Sequence, residues 1–159
     1  MNKIYLFNNN IETGLRALII LHSAYPQAID IQRIMYYDYL TIHSGDVENG
    51  PPSIHPAIPN RSGEILVRRK IIEEGINSFV KRGLIEKVFS KDGIDFCASD
   101  NASIFLDILE EEYTTLLKHR ASWVVENFSQ FSNKKLNTYM KNNLDNWGGE
   151  FMYCSSEVN

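Results

Sequence analysis

Cysteine is nearly missing from this chain: Cys97 and Cys154 are the two among 159 residues, and neither belongs to a CxxC pair. That scarcity excludes a disulfide framework and the usual cysteine-based zinc sites. No apolar run approaches the ~18 residues a membrane helix needs, and no stretch is built like a secretory signal. A reduced, cytoplasmic protein with no membrane partner is the expectation. Basic excess is lacking too. The formal net charge is -4, which excludes a protein wholly devoted to wrapping nucleic acid. There is no GxGxxG, GxSxG or HExxH, and no GxxxxGK followed by Ser or Thr. The four histidines, His22, His43, His55 and His119, lack metal-ligand spacing. No catalytic residue, cofactor or metal is therefore expected. The one grouping of catalytic residue types is His43, Asp46 and His55 on a long loop, where surface or capping roles are the expectation.

What is present is a foldable composition, 43% hydrophobic and 23% charged, enough for one compact core with an appendage. Charge is unevenly placed. Between Arg61 and Lys91 stand eight Lys or Arg (Arg61, Arg68, Arg69, Lys70, Lys81, Arg82, Lys87, Lys91) against four Glu, whereas from Asn101 onward eight acids face five bases. An anionic partner would meet the middle of the chain and a basic one the C-terminal part.

A first helix is predicted over Ile11 to Ala24, stopped by Tyr25-Pro26. Its apolar residues Leu15, Leu18, Ile19, Ile20 and Leu21 surround the axis, so either it lies at the centre of the domain or a partner covers its far side. Asp30 caps a second helix whose inner face carries Ile31, Ile34, Met35 and Ile42, with Tyr36, Tyr37 and Tyr39 around it. Asp38 falls on that inner face, where a carboxylate needs a cation. Arg69, or its neighbour Arg68, is the expected structural partner. From Ser44 to Gly63 run four prolines and three glycines, an irregular segment of a length that is usually functional. Its prolines favour an extended ribbon anchored by Ile54 and Ile58.

Ile65 to Gly83 is predicted as a third helix, with Ile65, Ile72, Ile76, Phe79 and Val80 inward and Val67, Lys70, Glu74, Asn77, Ser78 and Lys81 outward. Glu74 between the lysines argues against base reading in a major groove, while DNA-backbone contact by Arg68, Lys70, Lys81, Arg82, Lys87 and Lys91 stays open. Leu84 to Ser90 and Ile94 to Ala98, joined by Lys91-Asp92-Gly93, form a hairpin. The fold class is mainly α with a small β-hairpin: a winged helix-turn-helix with a long proline-rich insertion and C-terminal helices. The winged-helix domain would span 1-100 with its loop at 44-63, followed by a helical extension over 101-147 and a loose tail over 148-159. The extension holds one helix from Asn101 to His119, a second from Arg120 to Phe131 that can continue it, and a last from Ser132 to Trp147, ended by Gly148-Gly149.

The segments His43-Ser44-Gly45-Asp46, Gly50-Pro51-Pro52-Ser53-Ile54-His55-Pro56, Pro59 to Arg69 and Arg82 to Glu86 resemble the middle component of bacterial ABC-three-component systems. The similarity is to the small middle-component type found in Lamassu-like antiphage defence. It implies a non-catalytic subunit bridging an SMC/Rad50-like ABC ATPase and an effector, often a nuclease, with double-stranded DNA met through the complex. Pro52, Ser53, His55, Pro56, Arg61, Arg68 and Arg69 match the family's motif positions and read as structural and contact residues. Partner binding is assigned to Tyr36, Tyr37, Pro52, Ser53, Ile54, His55, Pro56 and Arg61, and a structural role to Asp38 and Arg69. Two rivals are a homodimeric winged-helix transcription regulator, dimerising through its C-terminal helices, and an enzyme built on the long loop.

Overall fold

The computed structural model describes residues 10-56 and 61-156. Helix α1 (Asn10–Ala24) is the centre of the molecule. It is followed by a two-residue strand β1 (Ile29–Asp30), helix α2 (Ile31–Ile42), helix α3 (Arg61–Lys81) and the hairpin β2 (Ile85–Ser90) and β3 (Gly93–Ala98). The chain then forms α4 (Ala102–Ile108), α5 (Glu112–Phe128) and α6 (Asn133–Ser156). The architecture is mainly helical with a small antiparallel sheet in the order β1-β3-β2. Strand β1 is too short to carry any pattern; Ile29 reaches the sheet by pairing with Phe96.

The all-round apolarity of α1 is satisfied within the chain. Leu18, Ile19, Ile20 and Leu21 are all buried, and the helix packs on α3 and α5. Its crossing with α3 is set by two glycines. A Cβ on Gly75 would lie 2.7 Å from the Asn10 carbonyl oxygen and from the Gly14 nitrogen, and one on Gly14 would lie 2.7 Å from the Gly75 oxygen. Backbone touches backbone there, which a side chain on either helix would forbid.

Asp30 caps α2 as expected, accepting from the Arg33 N–H at 2.7 Å. The Arg33 guanidinium then fastens the C-terminal helices: it donates to Asn133 Oδ1 at 3.0 Å, to the Phe128 carbonyl at 3.3 Å and to the Phe131 carbonyl. A cation at the end of α5 also suits the negative pole of that helix. One hydrophobic core thus runs from Leu18 and Ile34 to Val124 and Met140.

Two boundaries differ from the sequence reading. The helix expected over Asn101 to His119 breaks after Ile108, because Lys118 of α5 folds back and donates to the Leu106 and Leu109 carbonyls at 2.6 and 2.9 Å, closing the end of α4. The acidic run Glu110-Glu111-Glu112 then opens α5 at its positive pole, and α5 continues through Arg120 without interruption. Helix α6 runs through Gly148-Gly149, where an end was expected; glycine costs a helix interior only about 1 kcal/mol and does not by itself stop it.

Candidate functional site

Each of the first three helices buries one charged side chain at a common point. Asp38 of α2, 2% exposed, accepts from Arg16 Nε at 2.8 Å on Oδ1 and forms an ion pair with Arg68, whose Nη2 lies 2.8 Å from Oδ2. Burial alone would raise the Asp38 pKa, but the two guanidinium charges and the Arg16 hydrogen bond outweigh it and hold the carboxyl below its usual range. Half-buried Glu12, one turn before Arg16, is shifted the other way: burial raises it, against the pull of Arg16.

Of the two expected cations for Asp38, Arg68 is the one that meets it, joined by Arg16. Arg69 does not reach Asp38; it points outward and bonds Glu73 at 3.1 Å, an exposed pair one helical turn apart. Arg68, considered for DNA-backbone contact, is only 8% exposed and committed to Asp38, so it is withdrawn from any phosphate-binding row. Arg16 escaped the sequence reading altogether. The available signal was a lone cation inside the run Leu15 to Leu21, where every neighbour is apolar.

The loop after α2 closes over the same centre. A single 3-10 turn, Ser44–Asp46, brings the chain round, and the Ser44 hydroxyl is within 3.0 and 3.2 Å of the Pro51 and Pro52 carbonyls. Gly45 N–H donates to Ser53 Oγ at 2.9 Å, and the Ile54 and His55 N–H groups both donate to the Ile42 carbonyl at 3.0 Å. From α5, Arg120 Nε donates to the Pro52 carbonyl at 3.1 Å. His55 Nε2 sits 2.7 Å from the Tyr113 hydroxyl, and Tyr113 in turn hydrogen-bonds Arg16. Burial and then the Arg16 and Arg68 charges push the His55 pKa down to about 4, so the ring is neutral at neutral pH. Burial, partly offset by Arg16, lifts Tyr113 to about 12. The described part of this loop is thus folded back on α2 and α5 rather than extended as a ribbon, because its prolines supply carbonyl acceptors to Ser44 and Arg120.

Of the residues assigned to a partner, Tyr36 and Tyr37 are 4% and 1% exposed and work inside the chain. The Tyr36 hydroxyl donates to Asn137 Oδ1 at 2.6 Å and the Tyr37 hydroxyl accepts from Arg33 at 2.8 Å. Buried this way, neither offers a surface to another protein. Ile54 and His55 are half-buried, while Pro52, Ser53 and Pro56 are exposed. The side chain of Arg61 lies outside the described residues, as do Ile58 and Pro59. Lys70, Lys81, Arg82, Lys87 and Lys91 are all on the surface, interleaved with exposed Glu73, Glu74, Glu86 and Asp92.

Of His43, Asp46 and His55, the two histidines meet each other, their rings edge to face with centroids 6.4 Å apart, and Asp46 is engaged by Tyr39, accepting from its hydroxyl. Among the described residues no three His, Cys, Asp or Glu side chains gather as a metal site, and no helix is long and apolar enough to cross a membrane.

No curated protein and no solved structure matches this chain. A family model does, over residues 6–150. That span takes in the buried Arg16–Asp38–Arg68 centre, the loop sewn over it and the helices that hold both. The chain belongs to the family described as ABC-three component (ABC-3C) system Middle Component 2.

Proposed function

We propose that this chain is the non-catalytic accessory subunit of a cytoplasmic antiphage complex of the Lamassu-like kind. In this reading it bridges an SMC/Rad50-like ABC ATPase and an effector, with a nuclease as the effector class. The observation that carries the reading is the family match over residues 6–150, since a middle component implies partner components, an ABC ATPase among them. The order α1-β1-α2-α3-β2-β3 supports a winged-helix core, with the hairpin as the wing.

Two features of the surface fit a subunit better than an enzyme or a promoter reader. The loop motif spends Ser53, His55 and Arg68 on internal contacts and leaves Pro52 and Pro56 outward, a pre-ordered surface whose docking entropy has already been met in folding. The outer row of α3 mixes Lys70 and Lys81 with Glu74, so any DNA contact is with the backbone, through Lys70, Lys81, Arg82, Lys87 and Lys91.

Co-expression with an ABC ATPase and an effector of the same three-component system tests the proposal. A stable three-component complex is expected, and Pro52→Ala together with Pro56→Ala should weaken it while the subunit stays folded. A chain that elutes without either partner and selects one promoter fragment at moderate salt would instead be the homodimeric transcription regulator.

A further inference from the structure

Among the described residues the sheet ends in an open edge. β2 lies outermost in the order β1-β3-β2, and among the described residues no strand covers its far side. It is also unusually bare: every residue from Glu86 to Ser90 is exposed, including Val88 at 41% and Phe89 at 76%. On the neighbouring strand Ile94, the direct partner of Phe89, is 44% exposed. Exposed, apolar and unpaired edges are what natural sheets normally avoid.

We propose that this edge pairs with β2 of a second copy, antiparallel, about a twofold axis through Val88. Hydrogen-bond alternation and charge select that register. Ser99 N–H donates to the Leu84 carbonyl, and the register pairs Glu86 with Cys97, Val88 with Asp95 and Ser90 with Gly93. Leu84, Glu86, Val88 and Ser90 therefore bond toward β3, and Ile85, Lys87 and Phe89 aim their N–H and C=O groups outward. A second β2 must meet outward residues with outward residues. Centring the axis on Glu86 or Lys87 sets like charges face to face, and centring it on Phe89 sets Lys87 opposite Lys91. Centring it on Val88 sets Lys87 opposite the aromatic ring of Phe89, twice, with Glu86 opposite Ser90 and the two Val88 side chains in contact. Lys87 and Phe89 lie on one face of the pleat and Val88 on the other, so the cation meets the ring on one side and the valines pack on the other. The three-stranded sheets become one continuous sheet across two chains. The inference stands independently of the accessory-subunit reading and would give the assembly two copies of this chain.

Sedimentation equilibrium of the isolated protein should show a concentration-dependent species of twice 18.3 kDa. Phe89→Lys should weaken association at least about tenfold by removing both ring contacts and adding repulsion. The register has its own test, in a Cys97→Ser, Cys154→Ser background. Val88→Cys should form an interchain disulfide on mild oxidation, because directly opposed residues without mutual hydrogen bonds are spaced for one; Lys87→Cys alone should not, being two positions out of register with itself. A protein that stays monomeric at all concentrations overturns the proposal, as does a dimer indifferent to Phe89→Lys. Cross-linking of Lys87→Cys as readily as Val88→Cys would do the same.

Discussion

Replacing Asp38 by asparagine removes one charge and almost no volume, so it isolates the electrostatics of the centre. Arg16 and Arg68 are 1% and 8% exposed; without the carboxylate they are two cations in a protein interior. Deleting one partner of a buried ion pair costs about 3–5 kcal/mol. Asparagine keeps a carbonyl oxygen that accepts from one arginine, which places Asp38→Asn at about 3 kcal/mol and Asp38→Ala nearer 5. A chain of this size shifts about 2–4 °C in Tm per kcal/mol, so Asp38→Asn should lower the melting temperature by roughly 6–12 °C, read by circular dichroism and checked by urea titration. Two further readings distinguish this cause from a packing defect. Arg68→Met in the Asp38→Asn background should cost less than the two single changes summed, because the second change removes a charge the first left stranded. The acid limb should also change. The folded-state pKa of Asp38 lies below its unfolded value, so its contribution is present above the ordinary carboxylate pKa and lost as pH falls through the folded one; the variant should lack that loss. A melting temperature within 2 °C of the parent would refute the reasoning.

Three more outcomes follow from the same geometry. Gly75→Ala, which in an ordinary helix interior would gain about 1 kcal/mol, should instead destabilise by about 1–3 kcal/mol, since the new methyl meets the Asn10 and Gly14 backbone at 2.7 Å and backbone cannot step aside; a raised melting temperature would contradict the helix crossing. His55 is neutral in the fold, with its pKa pushed down to about 4, so the unfolded chain binds the extra proton first and stability should fall as pH drops from about 6.5 toward 4; His55→Gln should flatten that slope in pH-dependent denaturant melts, and an unchanged slope would assign it elsewhere. Lys81→Glu with Arg82→Glu should reduce DNA retention by the assembled complex while leaving assembly intact, measured by filter binding beside size-exclusion chromatography; if the complex dissociates, that corner of α3 is a protein contact.

How far the sequence could be read depended on the reach of each interaction. Local chemistry was legible: proline after Ala24 ends α1, Asp30 caps α2, and an Asp-Gly turn closes the hairpin within a residue of where it stands. Periodicity correctly turned Asp38 inward and so demanded a cation, but it could not say which, because Arg16, Arg68 and Arg69 differ only in how three helix axes cross. That crossing is fixed by Gly14 and Gly75, two residues with no side chain to project on a helical wheel. The break between α4 and α5 was hidden for a related reason: the group that closes α4 is Lys118, nine residues beyond the last carbonyl it caps, and no local propensity encodes a cap supplied by the next helix. Tyr36 and Tyr37 looked like interface anchors because aromatic residues serve cores and interfaces alike; their hydroxyls decide between the two, and both are engaged by Asn137 and Arg33. The proline-rich loop was the most informative segment and the most easily misread. Proline stiffness suggests display, whereas the loop's carbonyls and His55 are drawn onto the polar centre beneath, so the residues that carry the family resemblance most strongly are also those that join α2 to α5. The contact surface for partner components is then what that motif leaves outward, Pro52 and Pro56.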